Sequence, residues 1–517
     1  MRPPTRTALT FTLPWLRRAS VMGWALGMLM LSGCGGGGVL GVAQADPEAA
    51  AAAAEAEGVD VQPSFHRLPM AVAEPNSSDA DGAGLSAFAP PLPVTVPPEL
   101  AALDTSNLTD DSIAGYRATN ARALAETTRL DAAPAITPVV YTPAQIRTAY
   151  RLPVLPAVTA RLAVADAAAL GAGQTIYIVD AYHHPNALAD LSLFSSKFGL
   201  PACTPFSVPI GSTTLAPATD ASGCTVAVVH SGSNGSVVAK VPAYNAAWAT
   251  EIALDLQWAH AIAPLARLVL IEGANNGKGL LDAIALANKL GNGVVSMSFS
   301  GAESRSINST SGYFQRPGMS YLASTGDRGA AANWPAVMSN VIAVGGTSLQ
   351  SSGNGTRSET AWSRTGGGIS TVVAMPAYQG ALDIPGQGAT RYRSVADVSF
   401  NADPNTGQYF VFTAPGAKTA SWYVGGGTSI AAPQWAGIVA VANAQRALKG
   451  LPPLGAFHAK LYANFSPASS AYLQSFFDVT SGSNGTCAAC AAAAGYDSPT
   501  GLGTPKADNL LRVLSAQ

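Results

Sequence analysis

Residues 425–437 have the sequence Gly-Gly-Gly-Thr-Ser-Ile-Ala-Ala-Pro-Gln-Trp-Ala-Gly. The glycines permit a tight turn, and the apolar run after Ser429 predicts a buried helix that tolerates Pro433 in its first turn. Ser429 would then stand at a helix N-terminus, where backbone N–H groups and the helix dipole stabilise negative charge. An acyl-transfer nucleophile needs that setting. Taken alone, however, the stretch favours Thr428 or Ser429 as a simple N-cap, so a base elsewhere in the chain must decide.

A predicted helix from Trp248 to Ile262 carries two acids that could serve this serine. Glu251 and Asp255 are four residues apart, and this spacing places both on one face of the helix. No Lys or Arg occurs between Lys240 and Arg267. Two such acids are costly on an apolar helix unless they share a proton or lie in a polar cleft. A surface stripe is the alternative, but surface helices normally carry more charge.

A third acid lies in Gly326-Asp327-Arg328-Gly329, after a predicted strand end. Asp327 could simply make a turn, the commonest role of Asp between glycines. It could instead project into a cleft beside the other two acids.

Short apolar segments alternate with helical ones beyond Tyr141. We predict strands at Thr175–Val179, Leu268–Ile271, Val294–Ser298 and Val341–Val344, and helices that include Trp248–Ile262 and Gly279–Leu290. This alternation predicts an α/β fold with a mainly parallel sheet flanked by helices. Catalytic groups gather at the carboxyl ends of the strands in such sheets.

The first 33 residues have the pattern of a signal peptide. Arginines precede an apolar run from Val21 to Leu31, which is too short to be a good membrane span. The following Leu-Ser-Gly-Cys34 resembles the lipobox of bacterial lipoproteins, in which cleavage before the cysteine leaves it lipidated. We therefore expect an exported lipoprotein at the cell envelope, periplasmic or cell-surface, that contacts the membrane through Cys34. If the cysteine is incidental, the protein is secreted instead.

Residues 34–138 are rich in Ala, Pro, Gly, Ser and acidic residues. Such a composition buries too little apolar surface to offset the entropy of ordering, so we predict a mostly unfolded tether or vestigial propeptide. A folded domain would then span residues 139–517. The net charge of -2 and the scattered basic residues give no electrostatic reason to expect nucleic-acid binding.

Four cysteines remain when Cys34 is set aside. This even number suits two disulfides in an oxidising compartment, and we pair Cys203 with Cys224. Cys487 and Cys490 could form a local disulfide, a redox pair or half a metal site. No second Cys or His pair of zinc-site spacing accompanies them, so a local disulfide is the simplest interpretation.

Several separated motifs resemble the sedolisin family of serine-carboxyl peptidases, and they cover roughly residues 141–511. The motifs are Tyr141-Thr-Pro-Ala-Gln-Ile146, Glu251-Ile-Ala-Leu-Asp255, Gly326-Asp327, Asn333-Trp-Pro-Ala336, Val344-Gly-Gly-Thr-Ser348, Gly366-Gly-Gly368, Asp397-Val-Ser399 and Gly427-Thr-Ser429 with Ala432-Pro433. The resemblance implies a subtilisin-like fold in which glutamate replaces the histidine base.

By position, the resemblance makes Ser429 the nucleophile and Glu251 its general base. Asp255 would orient Glu251 and share a proton with it, and Asp327 would be the acid of the oxyanion hole. A carboxylate with a pKa of about 4.3 remains a base in acid, where a histidine of about 6.5 is already protonated. A carboxyl group in the oxyanion hole donates a hydrogen bond only when protonated. We therefore expect peptide hydrolysis at acidic pH through an acyl-enzyme.

The C-terminal region resembles the calcium loop of the same family. By position, the ligands of one structural Ca²⁺ would be Asp478, Asp497 and the carbonyls of Val479, Ala493 and Gly495. Carboxylates and carbonyls are the oxygen donors that calcium prefers. Two Asp-containing turns without an ion are the alternative.

The sequence departs from the family pattern in several places. Ser298-Phe299-Ser300 replaces the usual Ser-Trp-Gly, Arg328 replaces a small residue, and Ala493 replaces a glycine of the calcium loop. These changes suggest altered substrate binding, and the unfolded character of residues 35–138 argues against a folded propeptide.

Three functions remain open at this stage. The first is a surface-tethered, monomeric endopeptidase that acts on protein or peptide substrates in acid. The second is a histidine-dependent subtilase in which Asp180 supplies the acid, although His183 and His184 follow it too closely and neither His230 nor His260 lies in a histidine motif of that family. The third is a non-catalytic, peptide-binding lipoprotein on a peptidase scaffold.

Overall fold

The computed structural model describes residues 61–64, 69–75, 92–93, 138–155, 162–219, 223–351, 356–389, 391–467 and 469–516. Its contacts divide the chain into residues 1–49 and 50–517, and every described residue lies in the second unit. The predicted signal peptide and Cys34 therefore lie outside the described residues. Among the residues that are described, no helix has the length and apolar character needed to cross a membrane.

The described helices vary from one turn to more than five. The α-helices are α1 (Pro143–Ala149), α2 (Val164–Ala168), α3 (Ala187–Lys197), α4 (Ala246–Ile262), α5 (Lys278–Leu290), α6 (Thr428–Ala447), α7 (His458–Asn464), α8 (Ser470–Ser475) and α9 (Ala507–Leu514). Short 3₁₀-helices span Arg305–Phe314, Ala377–Gln379 and Pro404–Thr406.

The strands of the N-terminal half are β1 (Gln62–Pro63), β2 (Met70–Val72), β3 (Leu92–Pro93), β4 (Val139–Val140), β5 (Thr175–Ala181), β6 (Thr204–Pro205), β7 (Thr225–Ser231), β8 (Val237–Val238) and β9 (Arg267–Gly273). Those of the C-terminal half are β10 (Val294–Met297), β11 (Phe299–Ala302), β12 (Ser320–Ser324), β13 (Asn333–Trp334), β14 (Val341–Ser351), β15 (Arg357–Ala361), β16 (Gly368–Ala374), β17 (Tyr392–Val395), β18 (Val398–Asn401), β19 (Gln408–Phe412), β20 (Ser421–Gly425), β21 (Phe476–Phe477) and β22 (Thr504–Pro505).

A mainly parallel sheet forms the centre of the fold. Its strand order is β15-β14-β12-β10-β5-β9-β7-β6, with β18 added on β14 and β8 on β7. Strands β5, β7, β9, β10, β12 and β14 all pair in parallel, whereas β15 and β8 are antiparallel at the margins. The predicted α/β class is confirmed, because each apolar segment expected to be a strand contributes a strand to this sheet, although Ser298 lies just beyond the end of β10.

The two faces of the sheet bury two separate apolar clusters. Along β5, Ile176 and Ile178 pack into the cluster that includes α4 and α6, while Tyr177 and Val179 pack into the cluster that includes α5. This alternation follows from the two-residue period of a strand, and covering both faces requires apolar residues at nearly every position. The sheet thereby holds α4 and α6 against the same face.

Close packing of α4 against α6 depends on a glycine. A Cβ atom at Gly437 would come within 2.7 Å of the Cβ atom of Ile262, closer than real contacts allow. The two helices that carry Glu251 and Ser429 can therefore approach each other only because this position has no side chain.

Part of the segment predicted to be an unfolded tether pairs with strands of the main body. β1 pairs antiparallel with β11, and β2 pairs antiparallel with β20. Residues 61–64 and 69–75 therefore lie against the main body, and the interpretation of residues 34–138 as a mostly unfolded tether or vestigial propeptide stays a prediction. The composition of these residues does not predict this pairing, because their backbone hydrogen bonds are made to distant strands and do not depend on local apolar content.

Both predicted disulfides are present. Cys203 pairs with Cys224 across a Cα–Cα distance of 4.4 Å, and Cys487 pairs with Cys490 across 5.0 Å. Both distances lie within the usual range for a disulfide. The zinc and redox alternatives for Cys487 and Cys490 are unnecessary.

Candidate active site

Ser429 is the second residue of α6 and is fully buried. The N-cap position belongs to Gly427, whose φ of 102° suits glycine, and no side chain caps the helix there. The interpretation of Thr428 or Ser429 as an N-cap is therefore wrong. Ser429 instead lies in the first turn, where backbone N–H groups have no helical partner.

Pro433 has a specific effect on this turn, although it lies one turn later than we predicted. Proline has no N–H, so it cannot donate the helical hydrogen bond to the carbonyl of Ser429. That carbonyl accepts the Ser298 hydroxyl instead, at 3.0 Å. The same hydroxyl lies 2.8 Å from Oδ1 of Asp255. Ser298 thus links the backbone of Ser429 to the acid on α4.

Three carboxyl groups lie together beneath Ser429. Glu251 and Asp255 lie on α4, Asp180 lies near the carboxyl end of β5, and all three are fully buried. Among their oxygens, only Oδ1 of Asp255 has a hydrogen-bond partner of good geometry. The Ser429 hydroxyl lies near enough to lower the pKa of Glu251, but without the geometry of a full hydrogen bond.

The pKa values of the three acids are all raised above the ordinary value of a carboxyl group. Burial raises the pKa of Glu251 well above its ordinary value, and the charges of Asp255 and Asp180 raise it further. Burial likewise raises the pKa of Asp255 to about 8 and that of Asp180 well above its ordinary value. Because the charges are close together without a cation, the acids cannot all ionise at once. They therefore titrate as a coupled set that shares protons.

Asp327 occupies the other side of the helix N-terminus. Its Oδ1 accepts the Thr428 N–H at 2.8 Å and the Thr428 hydroxyl at 2.8 Å. Asp327 is buried whereas the adjacent Arg328 is exposed, so the two side chains do not share one environment. The charge of Asp327 also raises the pKa of Glu251, which places all four acids within electrostatic reach.

A peptide segment of the chain itself lies against this cluster. β1 runs antiparallel to β11, with Gln62 opposite Ser300 and Pro63 opposite Phe299. The Ser64 N–H then donates to the Ser298 carbonyl at 3.1 Å. The Ser64 carbonyl accepts the backbone N–H of Ser429 at 3.2 Å. Adding a strand to an exposed edge is a common way for proteins to bind peptides.

The segment that resembles a calcium loop brings two acids close together. Asp478 accepts the Gly495 N–H at 3.0 Å, and Asp497 accepts the Ala493 N–H at 3.0 Å. Burial raises the pKa of Asp497 to about 7, and the charge of Asp478 contributes to the rise. The charge of each carboxyl group therefore disfavours ionisation of the other. This donor set fits a bound cation.

The described histidines have partners elsewhere. His183 and His230 contact Glu272, His184 contacts Asp190, His260 contacts the Pro201 carbonyl, and His458 contacts Asp397. These contacts give a histidine-dependent subtilase no support.

The sequence did not predict where two residues of the site, Asp180 and Ser298, would lie. Asp180 was considered only as the acid of a histidine-dependent enzyme, yet it lies with Glu251 and Asp255. Ser298 was noted only as part of a changed motif. The available signals were an acid at the end of an apolar strand and a proline four residues after Ser429.

No protein-family model matches the chain. Kumamolisin from Bacillus sp. (strain MN-32) is 32% identical over 297 residues, which cover 51% of this chain and 50% of kumamolisin. Tripeptidyl-peptidase 1 from Bos taurus is 30% identical over 224 residues, covering 38% of this chain and 37% of that protein. Sedolisin from Pseudomonas sp. (strain 101) is 30% identical over 214 residues, covering 36% and 33%. The chain thus spans half the length of kumamolisin and about a third of the other two.

The fold is similar to the structure of Pseudomonas sedolisin, a serine-carboxyl proteinase, complexed with two molecules of pseudo-iodotyrostatin. The TM-score is 0.54 at 23% sequence identity, and the match covers 73% of this chain and 98% of that one. Over the part of its length that these comparisons cover, the chain is similar in sequence to peptidases of the sedolisin family and shares the fold of Pseudomonas sedolisin.

Proposed function

We propose that this protein is a serine endopeptidase that hydrolyses peptide bonds in acid through an acyl-enzyme on Ser429. One observation carries the proposal: the Ser64 carbonyl accepts the N–H of Ser429, the residue whose hydroxyl lies near the buried Glu251. A peptide carbonyl held in this way lies beside the hydroxyl that would attack it and beside a donor that would stabilise the resulting oxyanion.

Each acid has a distinct part in the proposed reaction. Glu251 takes the proton of the Ser429 hydroxyl as the oxygen attacks the substrate carbonyl. Asp255 shares its proton with Glu251, which holds Glu251 ionised against the surrounding charges. The oxyanion receives hydrogen bonds from the Ser429 N–H and from protonated Asp327. Glu251 then passes its proton to the departing amine. In the second half of the reaction water attacks the acyl group, Glu251 takes a proton from the water, and it then returns a proton to the Ser429 oxygen as the acyl group leaves.

The acidic working range is proposed from the resemblance and from Asp327, which can donate to the oxyanion only when it is protonated. Three buried carboxyl groups near Ser429 stay partly protonated well above their ordinary pKa values. Ionising them together would place like charges in a low-dielectric interior without a cation. A single negative charge shared by the set can act as a base, whereas protonated Asp327 can act as a donor.

We also propose one structural Ca²⁺ at the C-terminal loop. Asp478, Asp497 and the carbonyls of Val479, Ala493 and Gly495 would hold it, as the resemblance implies. The proximity of two carboxyl groups, one of them buried with a raised pKa, supports this assignment. A divalent cation would remove the repulsion and tie α8 and β21 to the loop that follows.

Export as a monomeric lipoprotein anchored through Cys34 stays a prediction from the sequence. If the anchor forms, the enzyme would act on protein or peptide substrates at the cell envelope. If it does not, the enzyme would be secreted.

The decisive test measures casein hydrolysis from about pH 3 to 8. The unmodified chain is compared with Ser429→Ala, Glu251→Gln and the control Asp508→Asn, which removes an exposed carboxylate of α9. We expect activity in acid that both site variants reduce by at least about 10³-fold and that the control retains. Unchanged activity in Glu251→Gln would exclude the carboxylate mechanism. No activity in the unmodified chain would favour the non-catalytic, peptide-binding alternative.

A further inference from the structure

Two histidines and a glutamate converge at the carboxyl ends of three neighbouring strands. Nδ1 of His183 lies 2.7 Å from Oε2 of Glu272, and Nε2 of His230 lies 3.1 Å from the same oxygen. The three atoms all lie within 4.8 Å of one another. None of these residues belongs to the proposed catalytic set or to the calcium loop.

The strand register brings these residues together. Glu272 on β9 pairs with His230 on β7 and with Asp180 on β5, so the three side chains share one face of the sheet. His183 follows β5 after Tyr182, whose φ of 64° is unusual for a residue with a side chain. The His183 N–H donates to the Ala243 carbonyl at 2.9 Å. This turn directs the imidazole of His183 back toward Glu272.

The carboxylate is fixed in position while its partners remain accessible. The His184 N–H donates to Oε1 of Glu272 at 3.0 Å, which leaves Oε2 facing the two imidazoles. Glu272 is fully buried, whereas the side chains of His183 and His230 are 24% and 16% exposed. Although Nε2 of His230 is close to Glu272, it makes no hydrogen bond of good geometry. An ion could therefore enter from solvent and meet one anionic oxygen and two imidazole nitrogens.

We propose that His183, His230 and Glu272 bind a divalent transition-metal ion, and that Zn²⁺ is the ion best suited to them. Two imidazoles and one carboxylate form a donor set that zinc prefers, at about 2.0–2.2 Å from each ligand. Three protein ligands leave a fourth tetrahedral position for water. The His184 N–H supplies the outer hydrogen bond that orients a ligating carboxylate.

The charge balance of the cluster suits a cation. Burial acts to raise the pKa of Glu272, but the hydrogen bond with His183 and the nearness of the His230 imidazole outweigh it and hold the pKa below its ordinary value. A second convergence of candidate ligand atoms among the described residues, at Cys203, Cys224 and His260, holds a disulfide and offers no thiolate.

The test measures binding of Zn²⁺ by calorimetry at about pH 7.5, where free imidazole is neutral. Excess Ca²⁺ is present so that the calcium loop does not contribute. The full chain is compared with His183→Ala, His183→Lys and the control Ser233→Ala, an exposed position near His230. Lysine keeps a cation beside Glu272 but removes the imidazole. The His183→Lys variant therefore distinguishes a metal site, which needs the imidazole, from an ion pair, which needs only the positive charge. Co²⁺ serves as the spectroscopic probe of coordination geometry.

We expect about one Zn²⁺ per chain, with affinity at least about 10-fold weaker in both His183 variants and unchanged in Ser233→Ala. The visible spectrum of the Co²⁺ form should show tetrahedral coordination in the unmodified chain only. If the His183 variants bind Zn²⁺ as tightly as the unmodified chain, the proposed site is wrong. Absence of binding in a folded, unmodified chain would also overturn it and leave the cluster as an ion-pair network. Neither outcome bears on the peptidase proposal, which casein hydrolysis tests separately.

Discussion

Replacing Asp255 with asparagine should change how stability depends on pH. Burial raises the pKa of Asp255 from 3.8 to about 8 in the folded protein. Between these values the folded state keeps a proton that the unfolded state loses, so stability falls as pH rises. The contribution is about 1.4 kcal/mol per pH unit, or on the order of 4 kcal/mol between pH 4 and 7. Asparagine has the shape of the protonated acid but cannot ionise, so this contribution disappears.

The measurement is urea denaturation at several pH values from about 4 to 7, in a Ser429→Ala background that prevents self-digestion. We expect the double variant Asp255→Asn, Ser429→Ala to lose stability less steeply with pH than Ser429→Ala alone. The slopes should differ by at least about 1.4 kcal/mol per pH unit, because removing one charge also lowers the pKa values of Glu251 and Asp180. Asp508→Asn in the same background controls for an exposed acid. Parallel curves for the two buried-site proteins would refute the shared-proton account.

Three further predictions concern other parts of the structure. In acid, the purified chain should cut itself on the carboxyl side of Ser64, and mass spectrometry should find the Ser429→Ala variant intact. If the chain is cut only at other positions, the substrate-like placement of β1 is contradicted. Chelation of Ca²⁺ should lower the melting temperature, because the free energy of unfolding falls by about 2.7 kcal/mol if Ca²⁺ was present at a hundredfold excess over its Kd. The melting temperature of Asp478→Asn should not respond to the chelator. Gly437→Ala should cost about 1–3 kcal/mol in urea denaturation because its Cβ would overlap Ile262, whereas Gly388→Ala, with open space around it, should cost far less.

Patterns local in the chain predicted much of the fold. The strands of the central sheet are short apolar runs, and the paired acids on α4 stand out because that helix contains no lysine or arginine. These signals require only the periodicity of helices and strands and the cost of burying charge. The resemblance to one family then assigned Ser429, Glu251, Asp255 and Asp327 to a common site, and the fold brings all four within electrostatic reach.

Features that depend on strand register could not be predicted in the same way. The meeting of His230 with Glu272 depends on how β7 and β9 are paired, and that of Asp180 with Asp255 depends on how α4 packs on β5. Nothing near those residues in the sequence specifies that pairing. β1 is a similar case, because Gln62 and Pro63 have no strand pattern and pair only through backbone atoms supplied by β11.

The pairing of β1 with β11 has a consequence for reaction order. A segment tethered to its own protein has an effective concentration on the order of millimolar, independent of how dilute the protein is. A first cleavage after Ser64 would therefore be unimolecular, and its half-time would stay constant on dilution. External peptides would compete poorly until the segment has left, so progress curves with dilute enzyme should begin with a lag of fixed duration.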